Sequence, residues 1–328
     1  MPILHPNIET SQVKRILIIL ISLCILFLAS VYIFIPGRLE MSKVDYAFCN
    51  INGASRTIHN PHTWWKWWPD TDSLHHDGKT DSVWYYYNGY TYHLNEKLYD
   101  AIDVQIKNNR TTIESNIQIF KMNFDSVAII WKCNLPSSMN PVTRILKYKQ
   151  AEKIHDDMAT ILSGLVSFLD NKENIYGINL HVVMSKDSTM VATKSVTKEY
   201  PLTAEIYNLI NSLKKYIKSN GATENNFPML NVRKLEDTEF ETMVAIPTNK
   251  QLKGNGKIFF SRYVPWKVLT AEVHGGNSTV EEALHQMKVY MSDYQKTAMA
   301  IPFQSLVTDR MKEPDTLKWI TNIYVPVP

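Results

Sequence analysis

The sequence predicts an α+β protein with one N-terminal membrane helix followed by two folded domains. Three observations support this fold class. Residues 16–35 form an unbroken run of twenty residues without a charge. About 290 residues follow Arg38, which is too many for one ordinary domain of roughly 100 to 200 residues. The last part of the chain repeats one order of strand and helix patterns, which indicates a sheet covered by helices.

Residues Ile16–Ile35 are predicted to form a transmembrane helix, which makes the membrane one partner of the chain. At 1.5 Å per residue, a helix of about twenty residues spans a hydrocarbon core of about 30 Å. The alternative is a cleaved signal peptide, whose apolar region is normally about 7 to 15 residues long and is followed by a small-x-small site. Leu28–Ser30 matches such a site only weakly. We therefore expect an N-terminal tail at residues 1–15 and an uncleaved anchor at residues 16–36.

Basic residues near the anchor predict its orientation, because Lys and Arg resist translocation. Lys14 and Arg15 lie directly before the span, whereas Arg38 and Lys43 beyond it are mixed with acidic residues. This favours a single-pass membrane protein with a cytoplasmic N-terminus and extracytoplasmic, periplasmic soluble domains. Cytoplasmic soluble domains are the alternative.

The composition is that of packed globular protein, and it does not favour a nucleic-acid partner. Hydrophobic residues make up 45% of the chain and aromatic residues 11%. The formal net charge is only +3 and no basic run is present, so the electrostatic footprint of nucleic-acid binding is missing. Cys24 lies in the anchor. Cys49 and Cys133 remain either to pair or, the better interpretation, to be two unrelated buried thiols.

The first soluble half, residues 42–172, predicts a sheet that wraps around one long helix. Strands are expected at Val44–Ile51 and at four later segments, and a helix at Arg144–Leu169 has apolar residues at helical spacing. The four later strands are Trp84–Tyr92, Glu96–Ile106, Thr112–Met122 and Val127–Asn134. A strand, short helices, an antiparallel meander and a long C-terminal helix together make a helix-grip sheet.

This order, with the W-x-x-W-x-P spacing of Trp64, Trp67 and Pro69, resembles the START-like superfamily, also called SRPBCC or polyketide-cyclase-like. The resemblance implies an apolar cavity beside the long helix that holds lipids, aromatic compounds or nothing. Trp64 and Trp67 are therefore candidates for the cavity or its mouth, where their rings would offer apolar walls or touch a membrane surface. The alternative is that two of the four tryptophans in this segment plug the core and two are partly exposed packing residues.

The second half, residues 178–328, contains an internal repeat with copies at about 178–254 and 258–328. Each copy has the pattern of strand, helix, strand and strand. The matched strands are Val191–Val196 with Val268–Val273, and Phe240–Pro247 with Trp319–Pro326. Two copies are too few for a solenoid. We expect a pseudo-twofold α+β domain with both helices on one side of its sheet and the other side concave and open.

Period-two alternation assigns residues of the second copy to the two faces of this sheet. Ile323 is assigned to the face that packs against the helices. Trp266, Glu272, Asn322 and Tyr324 are assigned to the open face, where we expect them to line a ligand pocket of a few hundred Å³. Tyr324 and Trp266 would be flat apolar walls, Asn322 a donor and acceptor, and Glu272 the charge.

The repeat, the turn His274–Asn277 and the closing segment Thr321–Pro326 together resemble the GyrI-like family, the effector-binding domains of bacterial transcription activators. The resemblance implies a cleft between the two halves that binds small, often cationic or aromatic, molecules, and some relatives are hydrolases. It also implies an acidic residue near the closing strand. Asn322 stands at that position, so Glu272 or Glu241 would have to supply a carboxylate. The alternative is that both glutamates are solvated charges on an exposed strand face.

No catalytic residue, metal site or cofactor is assigned. The sequence has no G-x-S-x-G elbow, no H-E-x-x-H motif, no phosphate-binding glycine loop and no dinucleotide fingerprint. His75-His76-Asp77 is a cluster in a predicted loop, but adjacent side chains diverge rather than converge on one metal ion. Glu152 and His155 have the spacing of a di-iron motif without matching carboxylates on other helices.

The favoured function is a membrane-tethered protein that binds a small hydrophobic or aromatic molecule in the START-like cavity and the GyrI-like cleft. Binding is preferred to catalysis. One alternative is a hydrolase or cyclase acting in one of these cavities, with Glu272 or Glu241 as general base and Tyr324 as donor. A further alternative is an envelope interaction protein whose cavities are filled and hold no ligand.

We predict that the chain divides near Ile175 into two separately folding units. Limited proteolysis should cut first between about residues 170 and 190, because linkers between domains are exposed and make few contacts. Mass analysis of the fragments checks this expectation. A single core that resists cleavage in this range would contradict the division.

Overall fold

The computed structural model describes residues 7–69, 74–76, 83–99, 101–109, 111–186, 188–235 and 239–328, without the side chains of residues 7–11 and 74–76. The chain separates after Asp170 into two compact units. The first unit runs up to Asp170 and the second unit is Asn171–Pro328. The side chains of the cluster His75-His76-Asp77 lie outside the described residues. The predicted α+β class is confirmed.

The first unit begins with helix α1, Asn7–Phe34. Its segment Gln12–Phe34 is long and apolar enough to cross a membrane, by length and composition. A signal sequence near the N-terminus would share these properties. The helix is followed almost directly by the first strand, which begins at Arg38.

One antiparallel sheet and one long helix form the rest of the first unit. The strands are β1 Arg38–Ala47, β2 Leu74–His76, β3 Val83–Tyr87, β4 Tyr90–Lys97, β5 Ala101–Lys107, β6 Thr112–Asn123 and β7 Ser126–Pro136. The helices are α2 Ile51–His59, a 3₁₀ helix at Pro61–Lys66 and α3 Pro141–Leu169. In the described part of the chain the strand order is β1-β7-β6-β5-β4-β3-β2.

Helix α3 packs on this sheet along one stripe, as the helical spacing predicts. Its buried apolar residues are Ala151, Ile154, Met158, Ile161, Leu162, Leu165 and Leu169. The helix begins three residues before the predicted Arg144, because Asn140 caps it with hydrogen bonds from Val142 N and Thr143 N and Pro141 occupies the first turn. Proline is favoured there since the first helical amides have no intrahelical acceptor.

The predicted strand Trp84–Tyr92 is wrong, because the segment is a hairpin of two strands. Asn88 and Gly89 form the turn between β3 and β4, with φ angles of 48° and 88°. An Asn-Gly pair accepts positive φ at both positions and is a strong hairpin signal. The two tyrosines that flank the turn, Tyr87 and Tyr90, are paired across it.

The second unit contains one eight-stranded antiparallel sheet within its described residues, in the order β12-β9-β11-β10-β14-β15-β13-β8. The strands are β8 His181–Met184, β9 Ser188–Thr197, β10 Met229–Lys234, β11 Phe240–Thr248, β12 Phe259–Tyr263, β13 Lys267–His274, β14 Phe303–Leu306 and β15 Ile320–Pro326. The helices are α4 Lys172–Tyr176, α5 Thr203–Ser219, α6 Asn277–Asp293 and a 3₁₀ helix at Thr316–Lys318.

The internal repeat folds with pseudo-twofold symmetry. The order β9-β11-β10 of the first copy is mirrored by β14-β15-β13 of the second, and the two copies meet at the β10–β14 pair. The short strands β8 and β12 were not foreseen. Strand β8 precedes β9 in the first copy but pairs with β13 of the second copy. Strand β12 precedes β13 in the second copy but pairs with β9 of the first copy.

Both helices of the repeat lie on the same face of the sheet. Leu306 packs in the core under α5 and is directly paired with Thr321. Thr321 and Ile323 are two residues apart in β15 and therefore point to the same face, and Ile323 is in the core under α6. Directly paired residues of neighbouring strands share a face. The predicted assignment of Ile323 to the helix side is therefore confirmed, and the opposite face is open.

Cys49 and Cys133 are both buried and are not joined by a disulfide. The β1–β7 register pairs Cys133 with Met41, whereas Val127 pairs with Ala47 near the end of β1. At about 3.3 Å per residue, Cys133 and Cys49 are separated by roughly 20 Å along the strands. The interpretation as two unrelated thiols fits this register.

We predict that Gly164→Ala destabilises the first unit. Gly164 of α3 faces the main-chain carbonyl of Trp67, which a Cβ atom would overlap. Alanine normally stabilises a helix interior by about 1 kcal/mol relative to glycine. Here we expect a loss of about 1 to 3 kcal/mol in the free energy of unfolding, measured by chemical denaturation. Exposed Ser163→Ala is the control and should be neutral or stabilising; a stabilising Gly164→Ala would show that the close approach is absent.

Candidate functional site

A cleft of about 480 Å³ opens on the face of the second sheet opposite α5 and α6. Its floor comes from both copies of the repeat, near the central β10–β14 pair. The apolar lining consists mainly of aromatic and methionine side chains: Met190, Phe227, Met229, Tyr263, Phe303 and Tyr324. The structure therefore has a cleft between the two halves of the repeat, on the open face of the sheet.

The strand register brings the aromatic residues together. Phe303 and Tyr324 are directly paired between β14 and β15, and their rings stack with centroids 4.9 Å apart at 16°. Tyr263, at the end of β12, meets Phe303 edge-on with centroids 5.5 Å apart at 79°. The three rings form a continuous wall, which we call the aromatic wall. Such a wall favours a flat apolar ligand.

The two tyrosines of this wall carry hydroxyl groups. Burial raises the pKa of Tyr324 above its ordinary value, although its hydrogen bond with Asn322 acts in the opposite direction. Tyr324 is therefore a neutral donor near pH 7. The buried Tyr263 hydroxyl has no hydrogen-bond partner within the described part of the chain. A buried donor without a partner is costly, and the inaccessible Tyr263 hydroxyl adds no free polar group to the cleft surface.

The charge of the cleft differs from the expectation for a cation site. Lys186 is the charged side chain among the described lining residues, and it lies exposed at the rim. Asn322 is on the cleft face of β15, directly paired with the lining residue Ser305. Asn322 itself is not among the described lining residues, and its amide acts on the Tyr324 hydroxyl by lowering its pKa.

Glu241 does not contribute a free carboxylate to the cleft. Lys194 Nζ lies 3.1 Å from Glu241 Oε2, and Arg233 Nη2 lies 2.9 Å from Glu241 Oε1. Desolvation acts to raise the pKa of Glu241, but the hydrogen bonds from Lys194 and Arg233 outweigh it and hold the pKa below its ordinary value. The carboxylate is ionised and already paired, so its expected role as a ligand for a bound cation is wrong.

Glu272 and Trp266 are not among the described lining residues, although the Glu272 charge contributes to the raised pKa of Tyr324. Glu272 is exposed and contacts His274 Nε2 at 3.0 Å. Trp266 precedes β13, is half-exposed and donates its indole Nε1–H to the Val327 carbonyl at 2.9 Å. The expected role of Trp266 as an apolar wall of the pocket is wrong, because Trp266 precedes β13 and the alternation of strand side chains does not apply to it. Its main chain instead exchanges hydrogen bonds with Ser185, a rim residue of the cleft.

Sequence reasoning missed several residues that the cleft uses. Tyr263 belongs to β12, a strand that was not predicted, and Phe303 begins the short strand β14. Alternation in Phe303–Leu306 would have placed Phe303 and Ser305 on one face, if the strand had been recognised. Met229 of β10 reaches the same face through its pairing with Ser305.

The tryptophan segment of the first unit fills the core. Trp64, Trp67 and Trp68 are buried around a void of only about 10 Å³, whereas Trp65 is half-exposed. The Trp64 and Trp68 rings stack with centroids 6.0 Å apart at 4°, and Trp64 Nε1 donates to the Ile58 carbonyl. A void of this size holds at most one water molecule. The expected ligand cavity or mouth at Trp64 and Trp67 is therefore wrong; three tryptophans, not two, are core residues.

The described residues contain no group of three or more side chains suited to hold a metal ion. Glu152 and His155 border a shallow groove between α3 and β1, and His155 Nδ1 lies 3.8 Å from the Asp156 carboxylate. These side chains are solvent-accessible, which is typical of charges on the polar side of a surface helix.

No family model and no curated protein matches the sequence. Solved structures match parts of it. The C-terminal domain of EcmrR has 15% identity and a TM-score of 0.41, covering 46% of this chain and 98% of that chain. SAV2435 bound to tetraphenylphosphonium has 14% identity and a TM-score of 0.32, covering 46% and 94%. The Zhui aromatase/cyclase from Streptomyces sp. R1128 has 6% identity and a TM-score of 0.33, covering 40% and 92%.

We predict that Tyr263→Phe leaves the stability of the second unit unchanged or raises it slightly, because the variant removes a buried hydroxyl without a partner. Tyr207→Phe is the matched control. The Tyr207 hydroxyl donates to the Thr308 carbonyl and accepts from Arg310 N at 2.7 Å, so its removal should cost about 1 to 3 kcal/mol. Chemical denaturation measures both variants. Equal losses would show that the Tyr263 hydroxyl is already satisfied.

Proposed function

We propose that this chain is a membrane-tethered protein that binds a small aromatic molecule in the cleft of its second unit. The observation that carries the proposal is the aromatic wall, Tyr263, Phe303 and Tyr324, in a cleft of about 480 Å³. Ligand pockets are typically about 300 to 1,000 Å³, mostly apolar, with a few polar groups that fix orientation. The Tyr324 hydroxyl and the Lys186 ammonium provide such groups.

The charge of the cleft favours a neutral or anionic ligand over a cation. No carboxylate is among the described lining residues, and Glu241 is paired with two basic side chains. Glu272, whose charge acts on Tyr324, is exposed and contacts His274. Lys186 at the rim would attract an anionic substituent, weakly because the side chain is exposed. An aromatic ring system with an acidic or phenolic group fits this arrangement.

Binding is preferred to hydrolysis because the cleft lacks a general base among its described lining residues. A base must lie within about 3 Å of the proton or water that it activates. Glu272 is exposed and paired with His274, and Glu241 is held by Lys194 and Arg233. Tyr324, whose pKa is raised by burial, is protonated near pH 7 and serves as a donor. The hydrolase or cyclase alternative therefore has a donor but no base.

Tethering is proposed on the apolar segment Gln12–Phe34 of α1. Lys14 and Arg15 at the N-terminal end of this segment, directly before its uncharged run, favour a cytoplasmic N-terminus, with both units outside the cytoplasm. The filled core of the first unit leaves the ligand to the second unit. The first unit then serves to connect the cleft to the membrane.

We predict that the full chain in detergent binds tetraphenylborate more tightly than the equally sized cation tetraphenylphosphonium. Tyr324→Ala should weaken tetraphenylborate binding by about tenfold, because an aromatic stack contributes about 1 kcal/mol beyond the area that the ring covers. Equilibrium dialysis against detergent alone measures both affinities. Lys186→Ala should reduce the preference for the anion.

Tyr86→Ala, an exposed tyrosine of β3 in the first unit, is the control and should leave affinity unchanged. Equal affinity of the wild type and Tyr324→Ala would contradict the site. Tighter binding of tetraphenylphosphonium would contradict the proposed ligand charge. Asp187 follows Lys186 in the sequence and lies outside the described residues. Asp187→Asn is therefore measured in parallel, to determine whether this carboxylate changes the preference between anion and cation.

A further inference from the structure

Two side chains, Tyr32 and Arg144, connect the C-terminal end of α1 to the rest of the first unit. The Tyr32 hydroxyl donates to the Met139 carbonyl at 2.5 Å, and Arg144 Nε donates to the Ile35 carbonyl at 2.8 Å. Only residues 35–37 separate α1 from β1. The last turn of the apolar helix is therefore fixed against the loop before α3 and the first turn of α3.

Arg144 is the central group of this junction. It is 6% exposed, and its donors go to the main-chain carbonyls of Ile35 and Ser138. Its guanidinium carbon lies 4.9 Å from the centroid of the Tyr32 ring. A cation is favourable at the C-terminal end of a helix, whereas a buried cation that loses its partners is costly. This arrangement fits a helix that is retained in the mature protein.

Apolar side chains surround this junction on the outside of the unit. Met139, Val142 and Leu146 are 84%, 67% and 61% exposed. We call these three residues the α3 tip. Val142 and Leu146 are one helical turn apart on one side of α3, and exposed Lys149 follows on the same side, seven residues after Val142. Apolar residues next to cations are typical of a surface that lies in a membrane interface.

The level of the α3 tip relative to a bilayer follows from the length of the span. A hydrocarbon core of about 30 Å takes about twenty helical residues, so a span that starts after Arg15 ends near Ile35. Tyr32 lies in the last turn of this span, where tyrosine is favoured at the membrane–water boundary. Since its hydroxyl is bonded to the Met139 carbonyl, Met139 lies at the same level.

We propose that the α3 tip inserts into the headgroup region of the same bilayer that α1 crosses, so that the first unit is seated on the membrane surface. The proposal rests on the proposed tether. The partner is a phospholipid bilayer, and Lys149 together with exposed Arg38 at the start of β1 favours anionic headgroups. Arg144 is the positioning residue, because it fixes the angle between α1 and α3.

The test places a fluorescent nitrobenzoxadiazole label on the full chain in liposomes of phosphatidylcholine and phosphatidylglycerol. The label is attached to Val142→Cys in a Cys24→Ala background, where the other two cysteines are buried. Phe124→Cys is the matched control: Phe124 is also apolar and 55% exposed, but lies in the turn after β6 at the other end of the unit. The β1–β7 pairing separates the two ends by roughly 30 Å.

Lipids that carry a nitroxide in the headgroup should quench the label at position 142 and leave the label at position 124 unquenched. Emission at position 142 should shift to shorter wavelength. Arg144→Gln should reduce the quenching at position 142, and its thermal midpoint shows whether the unit stays folded. If the variant does not fold, the comparison of positions 142 and 124 still decides the proposal.

Two results would overturn the proposal. Equal, weak quenching at positions 142 and 124 would show that the unit is held away from the bilayer. A shift to shorter wavelength at position 142 without nitroxide quenching would show that protein, such as a second copy of the chain, covers the α3 tip. Extraction of the chain from the liposomes by alkaline carbonate is measured separately. Release of the chain would contradict the tether and therefore the proposed function. If the chain is retained and position 142 is not quenched, only the proposed seating of the α3 tip is contradicted.

Discussion

The ligand cleft depends on one constraint, which is that both helices of the second unit bury their apolar sides on the same face of a single sheet. Val191, Val244 and Ile246 pack under α5, while Leu269 and Ile323 pack under α6. Because strand side chains alternate, every residue between these positions points to the other face. That face has no helix to cover it within the described residues, and it becomes the floor of the cleft.

Arg310 connects the two copies of the repeat. Its main-chain N–H donates a hydrogen bond to the Tyr207 hydroxyl of α5, in the first copy. Its guanidinium donates to Asn277 at the start of α6 and to Thr321 of β15, and lies over the Trp319 ring. Burial lowers the pKa of Arg310 from its ordinary value, yet the group remains charged near pH 7. The helix layer is thereby fixed behind the sheet that carries the aromatic wall.

The two units use aromatic residues in opposite ways. In the first unit, Trp64, Trp67 and Trp68 stack on one another and on Tyr85, which leaves no space for a ligand among the described core residues. In the second unit, the rings of Tyr263, Phe303 and Tyr324 also contact one another, but they lie on the open face of the sheet and border a cleft. The difference arises because α3 covers the tryptophans, whereas α5 and α6 lie on the far side of their sheet.

The sequence by itself determined the features that depend on local periodicity. The apolar run of residues 16–35, the duplicated order of strands and helix, and the opposite faces of Ile323 and Tyr324 follow from spacing alone, because period and length are properties of neighbouring residues. Tertiary structure decided the rest. The exchange of β8 and β12, the pairing of Glu241 with Lys194 and Arg233, and the filling of the first core depend on partners far away in the chain. Whether a side chain lines a cleft or finds a partner is a matter of such long-range contacts, which periodicity does not contain.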